Sequence, residues 1–420
     1  MRERDVYMAD LIERHGTSSR VTFIDEPETE ALFCPLISVD DHVLEPPDLF
    51  EGRVPDRMRS AVPHLEPDAK GYPFWHIDDK RLPIILVNGA AGRVRREWKG
   101  AARARFEEFR PSVFDPGRRL ADMDLTGVWA SLCFPSVIWG FAGWRFARMR
   151  DPEVGLASLR AYNDWMLEEW CGTAPDRYIP CQISWLADVA VAAEEIRRNA
   201  ARGFRAVSFS ENPEGLGFPA LYGGYWDPFF AACEETQTVI NLHVGSSGRT
   251  PNPSSMSPPD VIAALFPVSG IETVVDWIFA RIPIRFPGLR IALSEAGVSW
   301  VPMVIERLRR AYRMREASEV WRPEDPDPVE VLRRSFFFTS LEDPSAFRQL
   351  DLIGEDRVMV ETDFPHMDST WPACQRMLRG QLEQLPRETV EKICFRNAAS
   401  LYRHEPPPRS WVDRSEIARV

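Results

Sequence analysis

The stretch ISVDDHVLEP, residues 37–46, brings two carboxylates and an imidazole to the end of an apolar run with strand character. Asp40 and His42 are two residues apart, so their side chains point to the same face of an extended chain. In a parallel barrel, the catalytic groups collect at the carboxyl ends of the strands. The stretch therefore predicts a barrel strand that carries part of a functional site at its end.

Eight short apolar runs of this kind recur along the chain. They are LISVDDH, VWASLCFPS, YIPCQISW, FRAVSFSEN, TVINLHVG, LRIALSEAG, SFFFTSLED and RVMVETDFP, which begin at residues 36, 128, 178, 204, 238, 289, 335 and 357. Amphipathic helical patterns lie between most of them, and this alternation predicts a parallel sheet. Eight such units predict an α/β fold of the (β/α)₈ TIM barrel type. An open doubly wound sheet is the weaker alternative, because no G-x-G-x-x-G follows an early strand.

The segments outside this pattern set the domain organisation. Residues 1–35 form a polar N-terminal extension, residues 36–403 the barrel, and residues 404–420 a C-terminal arm. Within the barrel, residues 48–118 form an insertion after strand one. Residues 248–272 form a long loop after strand five that is rich in proline and serine. Long loops at a barrel face are usually functional covers or disordered excursions.

The charge and the cysteine pattern exclude several classes of protein. A formal net charge of −12 argues against a general nucleic-acid binder, because phosphate recognition needs a basic surface. No run approaches the roughly 20 apolar residues of a membrane span, and the N-terminus lacks an apolar signal segment. The seven cysteines contain no C-x-x-C pair, which favours reduced thiols. We therefore expect a cytoplasmic protein that binds neither nucleic acid nor membranes, and we expect a homodimer.

Four of the eight runs end in potential metal ligands. These residues are Asp40 and His42, His243, Glu295, and Asp363. A single histidine near a strand is more often structural, and a single carboxylate there is often a helix cap. The joint pattern instead predicts a metal site at the mouth of the barrel. Carboxylate and imidazole ligands suit zinc, iron or manganese.

Three motifs resemble the amidohydrolase superfamily. They are SVDDHVLEPPDLF from residue 38, FPGLRIALSEAGVSWVP from residue 286 and ETDFPHMDSTWP from residue 361. The most similar branch is the amidohydrolase-2 group, which includes aminocarboxymuconate-semialdehyde decarboxylase and γ-resorcylate decarboxylase. The resemblance spans about residues 37–402 and implies a distorted (β/α)₈ barrel with a divalent metal ion at its mouth.

The resemblance also assigns roles to the strand-end residues. The family binds its metal through an acid-x-His or His-x-His pair after strand one, a His after strand five and an Asp after strand eight. In this chain those positions hold Asp40 and His42, His243, and Asp363. Decarboxylases of the branch carry a catalytic His after strand six, where this chain has Glu295. That replacement removes an imidazole that can donate a proton near neutral pH, and it shifts our expectation toward hydrolysis.

Glu295 could act in three ways. It could be an acid/base group beside one metal ion, a ligand of a second ion, or a residue that orients a ligating His through the second ring nitrogen. Together with Asp40 and Asp363 it would place three carboxylates in one mouth, and these cannot all ionise without cations. Ligation rich in carboxylates favours iron or manganese over zinc.

The predicted function is a metal-dependent hydrolase of a bulky apolar acyl derivative. The substrate would be an amide, ester, lactone or thioester, including a thioester of coenzyme A. A metal-activated water would attack the acyl carbon, Asp363 would hold its proton, and His366 would protonate the leaving group or bind a substrate carboxylate. The alternatives are a non-oxidative decarboxylase of an aromatic or unsaturated acid and a non-catalytic binding barrel.

Two groups of residues are candidates for substrate binding. Trp139, Phe141 and Trp144 after strand two, and Trp185 after strand three, could line an apolar pocket, or they could simply pack beneath the loops. Residues 88–119 contain nine Lys and Arg residues against four Asp and Glu residues. This basic segment, with Arg95 and Arg96, could bind a carboxylate or the phosphates of coenzyme A. The alternative is a solvated helix face.

Overall fold

Every predicted barrel run forms a strand in the computed structural model, which describes residue 16 and residues 21–97, 102–254, 256–318 and 320–419. In chain order the strands within these ranges are β1 Leu36–His42, β2 His64–Pro67, β3 Pro73–Ile77, β4 Lys80–Pro83, β5 Val128–Phe134, β6 Tyr178–Ile179, β7 Cys181–Ile183, β8 Ala206–Phe209, β9 Val239–His243, β10 Ile291–Ser294, β11 Phe336–Ser340 and β12 Val358–Val360. All except β2, β3 and β4 belong to the barrel, and their pairing is parallel throughout. The predicted (β/α)₈ architecture is confirmed.

The barrel wall consists of two hydrogen-bonded sheets. One has the order β1-β5-β6 and the other the order β12-β11-β10-β9-β8-β7. Pro180 separates β6 from β7 and splits the predicted third strand, because proline has no N–H to donate to a neighbouring strand. At the opposite seam, backbone bonds from His42 N to Phe364 O (2.7 Å) and from Asp363 N to Asp40 O (2.9 Å) join β1 to the chain after β12. The barrel is therefore distorted, as the resemblance implies.

Helices alternate with the barrel strands. Those within the described residues are Pro116–Thr126, Pro152–Trp165, Val189–Arg202, Asp227–Thr236, Pro259–Ala264, Phe266–Phe279, Ile282–Arg285, Val301–Arg313, Pro328–Ser335, Leu350–Ile353, Cys374–Leu382, Arg387–Glu391, Asn397–Tyr402 and Arg409–Arg414. Four of them begin after an aspartate whose side chain accepts hydrogen bonds from first-turn amides, namely Asp115, Asp151, Asp188 and Asp327. None of the helices within the described ranges is both long enough and apolar enough to cross a membrane.

The insertion after β1 contains a small antiparallel sheet, β2-β3-β4, that the sequence did not predict. Trp75 of β3 is fully buried and packs against Phe50 and Trp139, with ring centroids 6.0 and 5.3 Å away. Trp139 in turn stacks on Phe146 at 4.6 Å. These aromatic rings join the insertion to the loop after β5.

The remaining peripheral segments are partly ordered. The predicted long loop 248–272 is too long, because helix Pro259–Ala264 lies wholly within it and helix Phe266–Phe279 begins within it. The C-terminal segment packs on the body of the protein, since Glu416 N donates to Leu32 O (2.8 Å) and the Trp411 and Trp129 rings lie 5.3 Å apart. Most of the predicted N-terminal extension lies outside the described residues.

Asp41, between the two mouth residues of β1, points away from the mouth and holds the barrel seam together. Its carboxylate accepts hydrogen bonds from Ser38 Oγ (3.0 Å), Thr362 Oγ1 (2.5 Å), Phe364 N (3.0 Å) and Ser131 Oγ. These donors belong to β1, to β5 and to the chain after β12. One buried side chain therefore links both neighbours of the first strand.

We expect Asp41→Ala to lower the free energy of unfolding by about 3 kcal/mol, because it leaves several buried donors without an acceptor. Urea unfolding followed by circular dichroism would measure the shift of the midpoint. Asp124→Ala is the matched control, since Asp124 forms an exposed ion pair with Arg177 and should change the stability by less than about 1 kcal/mol. Equal midpoints for the two variants would contradict the assigned role.

Candidate metal centre

Four side chains from three parts of the barrel meet at its mouth. His42 Nε2 lies 3.3 Å from Asp40 Oδ1 and 3.3 Å from Asp363 Oδ1. His243 Nε2 lies 3.2 Å from His42 Nε2 and 3.5 Å from Asp40 Oδ2. All four residues are fully buried. The strand ends of β1, β9 and β12 thus bring the predicted ligands to one point, which we call the ligand cluster.

Both histidines turn the same ring nitrogen toward the cluster. His42 Nδ1 lies 3.4 Å from Pro135 O, and His243 Nδ1 lies 2.7 Å from Val244 O. A carbonyl oxygen only accepts hydrogen bonds, so each Nδ1 carries the proton and each Nε2 keeps its lone pair. Arg119 also holds the backbone here, because its Nη2 donates to His42 O at 2.7 Å. Two oriented, neutral imidazoles therefore present Nε2 for ligation.

The carboxylates of the cluster lack partners that would explain their burial. Among the described residues, neither oxygen of Asp40 nor of Asp363 forms a hydrogen bond of good geometry. Ring nitrogens of His42, His243 and His366 approach these oxygens at 3.0 to 3.5 Å. Burial raises the pKa of Asp40 well above its ordinary value, and repulsion from Glu361 and Glu295 adds to this effect. Burial, together with Asp368 and Glu295, likewise raises the pKa of Asp363. Two buried carboxylates without a well-formed hydrogen bond, beside two imidazole lone pairs, fit a divalent cation.

Two mouth residues adopt the left-handed backbone conformation that non-glycine residues rarely occupy. Glu295 has φ 58° and Asp363 has φ 50°. Glu361 accepts a hydrogen bond from Glu295 N at 3.2 Å, and Thr339 Oγ1 donates to the same carboxylate. Such conformations persist where the surroundings enforce them, and they concentrate at functional sites. The backbone is thus held so that both carboxyl groups project into the mouth.

Glu295 lies beside the ligand cluster, and its position removes one of its three predicted roles. Its Oε2 lies 3.7 Å from His243 Nε2, the ring nitrogen that faces the ligand cluster. The second ring nitrogen of His243 already faces Val244 O. The hypothesis that Glu295 orients a histidine through that second nitrogen is therefore wrong. Its potential ligand atom also lies within 4.8 Å of those of Asp363, His366 and Asp368, so the acid/base role and the second-ion role both stay predictions.

His366 packs directly on the cluster. Its Nδ1 lies 3.0 Å from Asp363 Oδ1, and its ring stacks on that of His42 with centroids 3.8 Å apart. Burial lowers the pKa of His366 to about 4, although Asp368 acts in the opposite direction. The imidazole is therefore neutral at physiological pH and can exchange a proton with a group beside Asp363.

Of the four predicted pocket aromatics, Phe141 lies at the site. Its ring stacks on His243 at 4.1 Å and lies 5.2 Å from His42. Its backbone is left-handed, with φ 59°, and Ser208 Oγ donates to its carbonyl at 2.7 Å. Phe141 thus provides an apolar surface directly beside the ligand cluster.

The other three aromatics pack elsewhere. Trp139 is fully buried in the aromatic junction with the insertion, which fits the alternative of ordinary packing. Trp144 lies against Gly140, with the Arg145 guanidinium 4.4 Å from its ring centroid. Trp185 packs near Gly155 of helix Pro152–Trp165. Any contact of these three with a substrate remains a prediction.

The basic segment is largely occupied by structural contacts. Arg110 pairs with Glu26 and Asp122, at 2.8 and 2.7 Å. Arg119 donates to His42 O. Arg95 and Arg96 are exposed on the short 3₁₀ helix Arg95–Glu97. Arg110 and Arg119 therefore make structural contacts, and an anion site at Arg95 and Arg96 stays a prediction.

Four carboxylates near the mouth were missed by the sequence analysis. Glu361 could have been found, because it precedes Asp363 by two residues as Asp40 precedes His42. Asp368, which is exposed, belongs to a loop with no periodic signal. Glu45 accepts from Ser136 N and Oγ, and Glu211 accepts from the hydroxyls of two serines in the loop after β9. These last two hold loops in place, and their role is visible only in three dimensions.

The barrel and its buried histidine-and-carboxylate cluster define a class of protein, the metal-dependent barrel enzymes. A family model described as Amidohydrolase matches residues 64–404, most of the chain. The protein therefore belongs to the amidohydrolase family, as the motifs indicated.

Known relatives and solved structures refine the comparison. γ-Resorcylate decarboxylase of Rhodococcus jostii (strain RHA1) is 26% identical over 231 residues, which cover 51% of this chain and 68% of that protein. The crystal structure of an amidohydrolase from Mycobacterium avium subsp. paratuberculosis K-10 is similar to this structure with a TM-score of 0.68 and 24% sequence identity. The aligned region covers 89% of this chain and 100% of that chain. The structure of 5-carboxyvanillate decarboxylase from Novosphingobium aromaticivorans DSM 12444, complexed with manganese, is similar with a TM-score of 0.61 and 20% sequence identity. The aligned region covers 90% of this chain and 100% of that chain. The two structures establish the fold.

Proposed function

We propose that this protein is a metal-dependent, non-oxidative decarboxylase of an aromatic carboxylic acid. The observation that carries the proposal is the position of Glu295, whose carboxyl group lies 3.7 Å from His243 Nε2 beside the ligand cluster. It supplies the mouth with an acid that can reach a substrate held there. The similarity to γ-resorcylate decarboxylase supports the same reading. The proposal therefore favours decarboxylation over the hydrolysis that the sequence suggested.

The absence of a histidine after strand six does not argue against a decarboxylase. Burial raises the pKa of Glu295 well above its ordinary value, and Asp368 and Glu361 reinforce the effect by repulsion. A bound cation would lower the pKa of Glu295. Burial and the two neighbouring carboxylates act in the opposite direction and raise it. A carboxylic acid whose pKa is raised in this way keeps its proton to a higher pH than an ordinary glutamate does, and it can serve as a proton donor. Glu295 can therefore take the role expected of the missing histidine.

The ligand cluster supplies the binding site for the metal. Asp40, His42, His243 and Asp363 would hold a divalent ion, and manganese fits this mixture of carboxylate and imidazole ligands. When bound, the ion polarises an oxygen of the substrate and stabilises the negative charge that develops there. The ring of Phe141, 4.1 Å from that of His243, offers an apolar face to the aromatic ring of the substrate.

The chain's own residues can then complete the reaction. Glu295 donates its proton to the ring carbon that bears the carboxylate. The carbon–carbon bond breaks, its electron pair restores the aromatic ring, and carbon dioxide leaves. The carboxylate of Glu295 regains a proton through Asp368, which is exposed to solvent and lies within 4.8 Å of it. The overall change exchanges a carboxylate for a proton and needs no oxidant.

Hydrolysis is the second candidate, and the contact between His366 and Asp363 favours it. The 3.0 Å approach of His366 Nδ1 to Asp363 Oδ1 would suit a pair that accepts the proton of an attacking water and delivers it to a leaving group. Product analysis distinguishes the two reactions, because only decarboxylation releases carbon dioxide.

We expect manganese-loaded protein to release carbon dioxide from a panel of ortho-hydroxylated benzoates that includes γ-resorcylate and 5-carboxyvanillate. In deuterium oxide, the aromatic product should carry deuterium at the carbon that lost the carboxylate, which mass spectrometry detects. Chelator-treated protein is the control and should be inactive until manganese is restored. Hydrolysis of esters, lactones, amides or coenzyme A thioesters without release of carbon dioxide from any benzoate would overturn the proposal in favour of the hydrolase.

A further inference from the structure

We propose that the insertion carries a second metal site, which binds a transition-metal ion such as zinc through His64, Glu66 and His76. The three residues lie on the antiparallel pair formed by β2 and β3, where His64 is directly opposite His76. Glu66 follows His64 by two residues and therefore projects from the same face. We call this group the insertion triad. It shares no residue with the ligand cluster at the barrel mouth.

The separations between donor atoms in the insertion triad match those around one small ion. His64 Nε2 lies 3.4 Å from Glu66 Oε1, and His76 Nε2 lies 3.8 Å from Glu66 Oε2. One potential ligand atom from each residue lies within 4.8 Å of those of the other two. Two ligands of a tetrahedral zinc ion are about 3.3 Å apart when each lies about 2.05 Å from the metal. Small side-chain rotations would therefore complete the coordination.

The histidines are arranged so that they can ligate. Their rings stack with centroids 5.3 Å apart and an interplanar angle of 14°, so they stand side by side. His64 Nδ1 lies 3.3 Å from Val62 O and donates to it, which leaves the lone pair on the Nε2 that faces Glu66. A carbonyl that fixes the tautomer in this way is a common feature around ligating histidines.

The alternation along β3 separates the insertion triad from the packed face of the sheet. Trp75 is fully buried against the barrel, whereas the adjacent His76 has 23% of its side chain exposed. The side chains of His64 and Glu66 are 51% and 60% exposed. An ion can therefore enter from solvent, and water can complete its coordination shell. The bound ion would link β2 to β3 and stiffen the sheet that presents Trp75 to the barrel.

The ligand set indicates the class of ion and its affinity. Two imidazoles and one carboxylate suit zinc, nickel or copper better than magnesium or calcium. Arg81 is opposite His76 on β4, and its guanidinium lies 4.3 Å from the centroid of the Phe74 ring. This positive charge on the same sheet weakens cation binding. We therefore expect the insertion triad to exchange its ion with free zinc. We also expect it to bind this ion in addition to the metal ion at the barrel mouth.

The test uses the full-length, manganese-loaded protein, titrated with zinc by calorimetry and with cobalt by visible absorption. We expect the wild type to bind one more zinc ion per chain than His76→Ala and Glu66→Gln, and to gain thermal stability on zinc addition that both variants lack. The matched control is His404→Ala, which removes a histidine outside the insertion and should bind zinc as the wild type does. Cobalt in the wild type should show the intense visible bands of a tetrahedral site.

Equal zinc stoichiometry in the wild type and in both variants would overturn the proposal. So would zinc uptake that is matched by an equal release of manganese, because the ion would then have entered the barrel mouth. Glu66→Gln keeps the size of the side chain, so a loss of zinc in this variant cannot be attributed to misfolding of the sheet.

Discussion

His243→Ala should lose the metal ion from the barrel mouth and lower the turnover by at least about 10³-fold, while the barrel stays folded. The imidazole contributes the Nε2 that lies 3.2 Å from that of His42 and 3.5 Å from Asp40. Without it, three ligands remain around a site whose carboxylates already repel each other. A metal ion supplies several kcal/mol of transition-state stabilisation, which corresponds to a loss of this size. The fold should survive, because barrel stability resides in the packed interior and not at the mouth.

Elemental analysis after gel filtration would measure the metal content, and circular dichroism would report on the fold. His404→Ala is a suitable control, because it removes a histidine whose Nε2 lies 2.9 Å from Asp176 O and that does not belong to the ligand cluster. It should retain both the metal and the activity. A His243→Ala protein with full metal occupancy would show that His243 is not a ligand, and the geometry of the mouth would then need another explanation.

Glu295→Gln should retain the mouth metal and lower the turnover by about 10²–10⁴-fold, the usual contribution of a positioned proton donor. Glutamine has the same shape but cannot deliver a proton to the substrate. The backbone should be undisturbed, because Glu361 would still accept from the amide of residue 295. Single-turnover kinetics and the deuterium content of the product would place the defect in the proton-transfer step.

Glu214→Gln provides the matched control for Glu295→Gln. Glu214 is exposed in the loop after β8, so the same chemical change there should leave the turnover unaltered. The metal content of Glu295→Gln separates the two remaining roles. A fall from two ions toward one would identify Glu295 as a ligand of a second ion. Wild-type turnover with wild-type metal content would remove the main support for Glu295 as the acid.

The barrel and the clustering of its candidate ligands were predictable because both depend on local, periodic signals. Apolar runs of strand length predict the strands of the barrel wall. The polar residues at the ends of these runs include the candidate ligands Asp40, His42, His243 and Asp363. The break at Pro180 is predictable from the same kind of signal, because a proline within a strand run removes a backbone donor. The order of the strands around the barrel then brought the ends together without any further information.

The insertion and the pocket were not predictable in the same way. Strands β2 and β4, HLEP and KRLP, are short and polar, so neither shows an apolar alternation. Trp139 and Phe141 are both aromatic residues in one loop, yet one is fully buried against Trp75 and the other faces His243. Their difference depends on the left-handed turn at Phe141 and on packing with a distant insertion. Residue type alone cannot distinguish these two positions.

The seam held by Asp41 has a consequence for how the protein acquires its metal during synthesis. The carboxylate bonds to Thr362, which lies 321 positions further along the chain. The candidate ligands themselves run from Asp40 to Asp363. A ribosome has therefore made most of the polypeptide before the last strand can close the barrel and the last ligand can reach the mouth. Until then the nascent chain holds an incomplete set of candidate ligands, so we expect metal loading to follow translation of β12 and to depend on the ions available to the finished chain.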